Sequence, residues 1–103
     1  MTAYWLARAK INDHDEYMKY ATQVPAILEK FNGKILTRGG NSKTLEGNDY
    51  FERFVIIEFP SLADAEACFN SIEYKTAAIF RRQNGVGDNE LTIVEAGDLT
   101  PTA

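Results

Sequence analysis

Two segments of this chain carry apolar residues on both sides of an extended strand, one of them with a mixed second face, and that limits the folds open to it. Arg53 to Phe59 (RFVIIEF) is the run richest in β-branched and aromatic residues, and Pro60 stops it. Tyr4 to Ile11 (YWLARAKI) alternates, with Trp5, Ala7, Ala9 and Ile11 on one side and Tyr4, Leu6, Arg8 and Lys10 on the other. Strands of this kind need cover on two faces. Lys34–Arg38 (KILTR) and Glu90–Glu95 (ELTIVE) read as two further strands. Gly39-Gly40 permits a bulge or turn, Asn41–Glu46 continues as a bent arm, Gly47-Asn48-Asp49 is a turn and 85–89 is a loop.

Helices fill the intervals. Asp13 is placed to cap one, with Glu16 three residues on as its capping-box partner. Tyr17, Tyr20, Ala21, Val24, Ile27, Leu28 and Phe31 then recur at three and four. Pro25 lies inside that stripe and should kink or restart the helix, because its nitrogen has no proton to donate. Asn32-Gly33 closes it. Ser61, with Asp64 three on, opens a second helix whose buried stripe is Leu62, Ala65, Cys68, Phe69 and Ile72. Asn70-Ser71 restarts the chain as a short helix through Tyr74, Ala77, Ala78 and Arg81.

The order β-α-β-β-α-β is the split βαβ arrangement of an α+β domain. It puts the first and third strands side by side at the centre, here expected to run parallel, with the fourth and second on the edges. Helices cover one face only. Leu6, Leu36, Phe54, Ile56 and either Ile93 or Val94 would then lie in water on the other, so a second copy packed sheet to sheet is expected. At 103 residues and 45% hydrophobic, the chain has the material for one core. The domain is expected over residues 1–96 with a C-terminal tail at 97–103. Eleven Lys+Arg against fifteen Asp+Glu, a net charge of −4, argue against nucleic acid or an anionic membrane as partner. A single cysteine and the lack of a secretory pattern suggest a cytoplasmic protein.

Charges recur in phase with the open face. Arg8 follows Tyr4 and Leu6, Arg38 follows Lys34 and Leu36, and Glu58 follows Phe54 and Ile56. With parallel centre strands, Arg8 and Glu58 meet at one end, and Arg38, Arg53 and Tyr4 gather at the other. The pair Arg8–Glu58 is either a structural ion pair that sets register or part of an anchor for an anionic small molecule. Tyr74, after its helix break, is a phenol within reach of a cavity mouth or a core ring. His14 reads as a surface cap-region residue and Cys68 as a buried inert thiol. One His and one Cys leave too few donors for zinc or haem, and no cofactor is expected.

Tyr4-Trp5-Leu6-Ala7-Arg8, Thr37-Arg38-Gly39-Gly40, Glu52-Arg53-Phe54-Val55-Ile56-Ile57-Glu58-Phe59-Pro60 and Asn70-Ser71-Ile72-Glu73-Tyr74 together resemble the family filed as domain of unknown function 1330. The resemblance runs from Ala3 to about Glu95. It implies a ferredoxin-like protomer with a four-stranded antiparallel sheet, and a dimeric α/β barrel made by two copies. It also puts Arg38, Arg53, Glu58 and Tyr74 on polar positions of the family pattern. Members often carry Pro where this chain has Ile72 and Trp where it has Cys68. The resemblance supplies no reaction.

The first functional reading is a small-molecule-binding homodimer acting without a cofactor on a small acidic or enolisable compound. In it Arg38 and Arg53, with Arg8, Tyr74 and Tyr4, hold the ligand, and Glu58, tuned by Arg8 and desolvation, accepts a proton. The second is a non-catalytic stress or assembly module whose ion pairs only align the dimer.

Overall fold

The computed structural model describes residues 1–99. In chain order the elements are β1 (Ala3–Ile11), α1 (His14–Ala21), α2 (Val24–Lys30), β2 (Lys34–Arg38), β3 (Arg53–Phe59), α3 (Leu62–Asn70), α4 (Ile72–Arg82) and β4 (Gly87–Glu95). The four strands form one sheet in the order β2-β3-β1-β4, and every neighbouring pair is antiparallel. The expected tail lies outside the described residues at 100–103.

The parallel centre expected from the strand order is therefore corrected. A helical crossover returns the chain from β1 to β2 in the same direction, and the β2–β3 connection then reverses it, so β3 runs against β1. Arg8 consequently sits opposite Phe54, while Glu58 sits opposite Tyr4 at the far end of the strand. β4 also begins earlier than its apolar run suggested, at Gly87. There the backbone passes so close to the Lys10 carbonyl that no Cβ fits.

The helix punctuation follows the side chains. Asp13 Oδ1 accepts from the Glu16 amide at 3.1 Å. The capping box is only half formed, because the Asp13 amide donates to the Val86 carbonyl and the Glu16 carboxylate pairs with Lys19. Pro25 stands in the first turn of α2, so the chain restarts there instead of bending one long helix. Asn32, at φ 62°, is the left-handed residue that closes α2, and Gly33 donates to the Leu28 carbonyl at 2.8 Å. Ser61 caps α3 and Ser71 caps α4. The restart at Ser71 rotates the helical stripe. Tyr74, Ala77, Ala78 and Arg81 turn inward, and Ile72, expected in the core, is 74% exposed.

The core lies between the helices and one sheet face. Trp5, Leu28, Ile57, Phe59, Ala65, Cys68 and Tyr74 fill it, and the Trp5 indole donates to the Ala65 carbonyl at 3.0 Å. The opposite face carries Leu6, Phe54, Ile56 and Val94 with no element over them; Val94, not Ile93, is the outward residue of β4. A hollow of about 450 Å³ lies there, lined by Leu6, Phe54, Ile56 and Thr92 among others.

Candidate functional site

The site begins with an irregularity in β2. Ile35 pairs with Ile57, but the next register pair is Thr37 with Ile56, which leaves Leu36 as an extra residue. One extra residue shifts the alternation by one. Arg38 therefore pairs with Val55 on the helix-covered side, and its Nη1 donates to the Ala21 carbonyl at the end of α1, at 3.2 Å. The expected open-face position of Arg38 is overturned by this bulge.

Arg53 opens β3 on the same side, opposite Ala9. Its guanidinium carbon lies 5.6 Å from the centre of the Tyr17 ring, and its Nε is buried without a hydrogen-bond partner. Gly39, at φ +72°, passes directly against that guanidinium, so a Cβ there would push its Nη1 aside. Two demands thus fall on one glycine: a left-handed turn and space for Arg53.

Arg81 comes from the last turn of α4 and is only 8% exposed. Its Nη2 donates to the Tyr74 hydroxyl at 3.1 Å, which is 2.8 Å from the Tyr20 hydroxyl. The guanidinium carbon also lies 5.1 Å from the Tyr20 ring centre. Tyr17 and Tyr20 are in edge contact at 5.5 Å, so cations and rings alternate in the series Arg53, Tyr17, Tyr20, Arg81.

These groups, with Trp5 and Ile57, line a cavity of about 40 Å³ between sheet and helices. A water needs roughly 10–15 Å³ of such space, so the cavity takes a carboxylate-sized group or a few waters. Among the described residues, no carboxylate forms an ion pair with Arg38, Arg53 or Arg81. Phenols and ring faces offset part of the desolvation of these cations, and an anion would offset more. Burial raises the Tyr17 hydroxyl above the usual tyrosine range against the opposing pull of Arg53. Burial, with Tyr74 alongside, raises Tyr20 further. Both phenols thus stay protonated as donors at neutral pH. No cluster of three or more His, Cys, Asp or Glu able to hold a metal occurs among the described residues.

Three of the residues singled out from sequence, Arg38, Arg53 and Tyr74, meet in this cavity. Arg8 stands at its rim but is engaged with Glu90, its cross-strand neighbour, at 2.8 Å, and lies 4.2 Å from the Phe51 ring centre. The expected Arg8–Glu58 contact does not form, and neither Glu58 nor Tyr4 lines the cavity. His14 is exposed at the start of α1. Cys68 is buried, which pushes its thiol up to about 12. Tyr17, Tyr20 and Arg81 belong to the site and were missed. The signal for Arg81 was a cation on the same helical stripe as Tyr74 and Ala78, a position that a favourable helix-end charge explains equally well.

Fold and topology together define a ferredoxin-like α+β protein with one helix-covered and one open sheet face. The chain belongs to the family described as Domain of unknown function (DUF1330), whose profile matches residues 2–96. Among solved structures it is similar to a protein of unknown function from Rhodopseudomonas palustris, with TM-score 0.75 and 20% identity over 97% of this chain and 84% of that one. A dimeric ferredoxin-like protein of unknown function from Jannaschia sp. CCS1 matches with TM-score 0.74 and 13% identity over 93% of this chain and 100% of the other. SnoaB, a cofactor-independent oxygenase from Streptomyces nogalater, matches with TM-score 0.62 and 13% identity over 98% of both chains. No curated protein matches the chain. Among the described residues no helix is long and apolar enough to cross a membrane.

Proposed function

We propose that this chain is a small-molecule-binding homodimer whose ligand is a small organic anion seated between sheet and helices. The observation that carries the reading is Arg53: its guanidinium Nε is buried with no partner, and the residue lines a cavity shared with Arg38 and Arg81, none of the three engaged by the one carboxylate there, Glu90, which pairs with Arg8. A buried unpaired donor costs about 1–3 kcal/mol, and an acceptor on the ligand recovers it. Arg38 and Arg53 hold the anionic group, and the Tyr74 and Tyr20 phenols orient its remaining oxygen. The oxygenase that shares the fold acts without a cofactor, which supports extending the ligand class to enolisable acids. Glu58 has no place in this reading, because it lies outside the cavity.

The homodimer rests on the open face, where Leu6 and Val94 are 43% and 42% exposed beside Phe54 and Ile56. Two relatives of the fold are dimers. The assembly-module alternative loses its main support, since Arg8 is already satisfied within its own chain by Glu90.

A thermal-shift screen of small carboxylates and phenolic acids tests the ligand. Wild type should gain stability with rising acid concentration, and Arg53→Gln should lose that gain while remaining folded. A screen in which Arg53→Gln responds as wild type does removes the proposal. Sedimentation at micromolar concentration should show a dimer for wild type and a monomer for Ile56→Lys; a wild-type monomer refutes the dimer.

A further inference from the structure

One row across the sheet breaks the apolar pattern of the helix-covered face. Ala9 of β1 pairs with Arg53 of β3 on one side and with Asn89 of β4 on the other. Directly paired residues share a face, and Ala9 is buried with Tyr17, so all three belong to the helix side. On β4 the residues of that side are Gly87, Asn89, Leu91, Ile93 and Glu95, and Glu95 stands exposed at the strand end. Asn89 is thus the polar residue that β4 adds to the covered part of the face. Like Arg53 it lines the inner cavity, where the neighbouring row of Val55, Ala7 and Leu91 supplies apolar lining. A polar residue at an inward strand position departs from the alternation that builds a core. The fold makes no use of it: among the described residues, no side-chain hydrogen bond engages the Asn89 amide.

We infer that Asn89 reads a hydroxyl beside the ligand's carboxylate, so that the bound anion is a short 2-hydroxy acid, which rests on the proposed anion site and names the acid it selects. The cavity is rich in donors and poor in acceptors. Arg38, Arg53 and Arg81 only donate. The Tyr74 oxygen already accepts from Arg81 and is bonded to the Tyr20 hydroxyl. The Tyr17 hydroxyl lies against Arg53, and the Glu90 carboxylate is engaged by Arg8. Asn89 Oδ1 is the side-chain acceptor left for a proton that the ligand brings. An ionised carboxylate brings none, and a hydroxyl brings one. The size agrees: a space of about 40 Å³ holds roughly three waters, which matches the three oxygens of glycolate.

The test measures binding of acetate, glycolate and fluoroacetate by calorimetry at neutral pH, on wild type and on Asn89→Ala. Fluoroacetate keeps the charge and nearly the shape of glycolate but has no hydroxyl proton. Asn89 is only partly buried, on an edge strand, so the variant should fold. Glycolate should bind wild type about five- to tenfold more tightly than the other two, the worth of one net hydrogen bond. Asn89→Ala should lower glycolate to within about twofold of them. Wild type alone supplies a second readout, since the Asn89 side-chain amide resonances should shift more with glycolate than with fluoroacetate. If the three acids bind wild type equally, if glycolate keeps its advantage in Asn89→Ala, or if those resonances respond alike to both, the assignment to Asn89 is overturned and the anion site stands. If none of the three binds wild type, the anion site fails and the role of Asn89 with it.

Discussion

Tyr74→Phe removes one oxygen from the core and leaves its ring in place among Trp5, Phe69 and Tyr20. That oxygen accepts from Arg81 at 3.1 Å and shares a proton with Tyr20 at 2.8 Å. A hydrogen bond to a charged group contributes about 1.5–3 kcal/mol and a neutral one about 0.5–1.5 kcal/mol, with orphaned buried partners toward the upper end. The variant should therefore lose about 2–4 kcal/mol, since Arg81 is nearly fully buried. For a domain of this size the Tm should fall by roughly 10–20 °C. Urea unfolding and calorimetry at one fixed protein concentration measure both. Tyr20→Phe breaks only the phenol–phenol bond and should cost less. The double variant should cost less than the sum, because Tyr74→Phe has already orphaned the Tyr20 hydroxyl. A loss under about 0.5 kcal/mol for Tyr74→Phe, or strict additivity, would refute the network as a coupled unit.

Alkaline stability follows from Tyr17 and Tyr20, both raised chiefly by burial. Unfolded tyrosine ionises near pH 10, so their contribution is whole below about pH 10 and is lost as pH rises beyond it, at up to about 1.4 kcal/mol per pH unit per phenol. Urea midpoints from pH 8 to 11 should show this fall, and Tyr20→Phe should flatten it; a level profile contradicts the burial. The Cys68 thiol, pushed up to about 12 by burial with Glu73 nearby, should resist a thiol reagent at pH 8 until denaturant is added. Prompt labelling of the native protein would count against that environment. Gly39→Ala meets both a left-handed φ and the Arg53 guanidinium, and should cost about 1–2 kcal/mol or more and weaken carboxylate binding. Unchanged binding would separate Gly39 from the placement of Arg53.

Much of the architecture was legible because it depends on local chemistry. Asp13, Ser61 and Ser71 mark helix starts through their own side-chain oxygens, and Pro25 marks a restart through its missing proton. The direction of β3 relative to β1 follows from the order of the connections, a helical crossover and then a reversal between β2 and β3, and the Arg8–Glu58 contact was misjudged because that order was read as making the two centre strands parallel. Arg38 was misjudged for a different reason. Nothing in Lys34-Ile35-Leu36-Thr37-Arg38 reveals that Leu36 is skipped in pairing, since each residue there is an ordinary strand former. Arg81 was hidden because its burial depends on Tyr20 and Tyr74, which belong to different helices.

The skipped residue in β2 makes pairing register a variable with chemical consequences. Deleting Leu36 would restore simple alternation and leave the guanidinium where it is, opposite Val55 on the helix-covered side, because the pairing already passes that residue over. Keeping Leu36 but pairing it with Ile56 would instead bring Arg38 opposite Phe54 and send its guanidinium through the thickness of the sheet to the uncovered side. Two chains with identical polar residues, one with this residue bulged and one with it paired, would therefore differ in whether that cation serves the interior or the association surface.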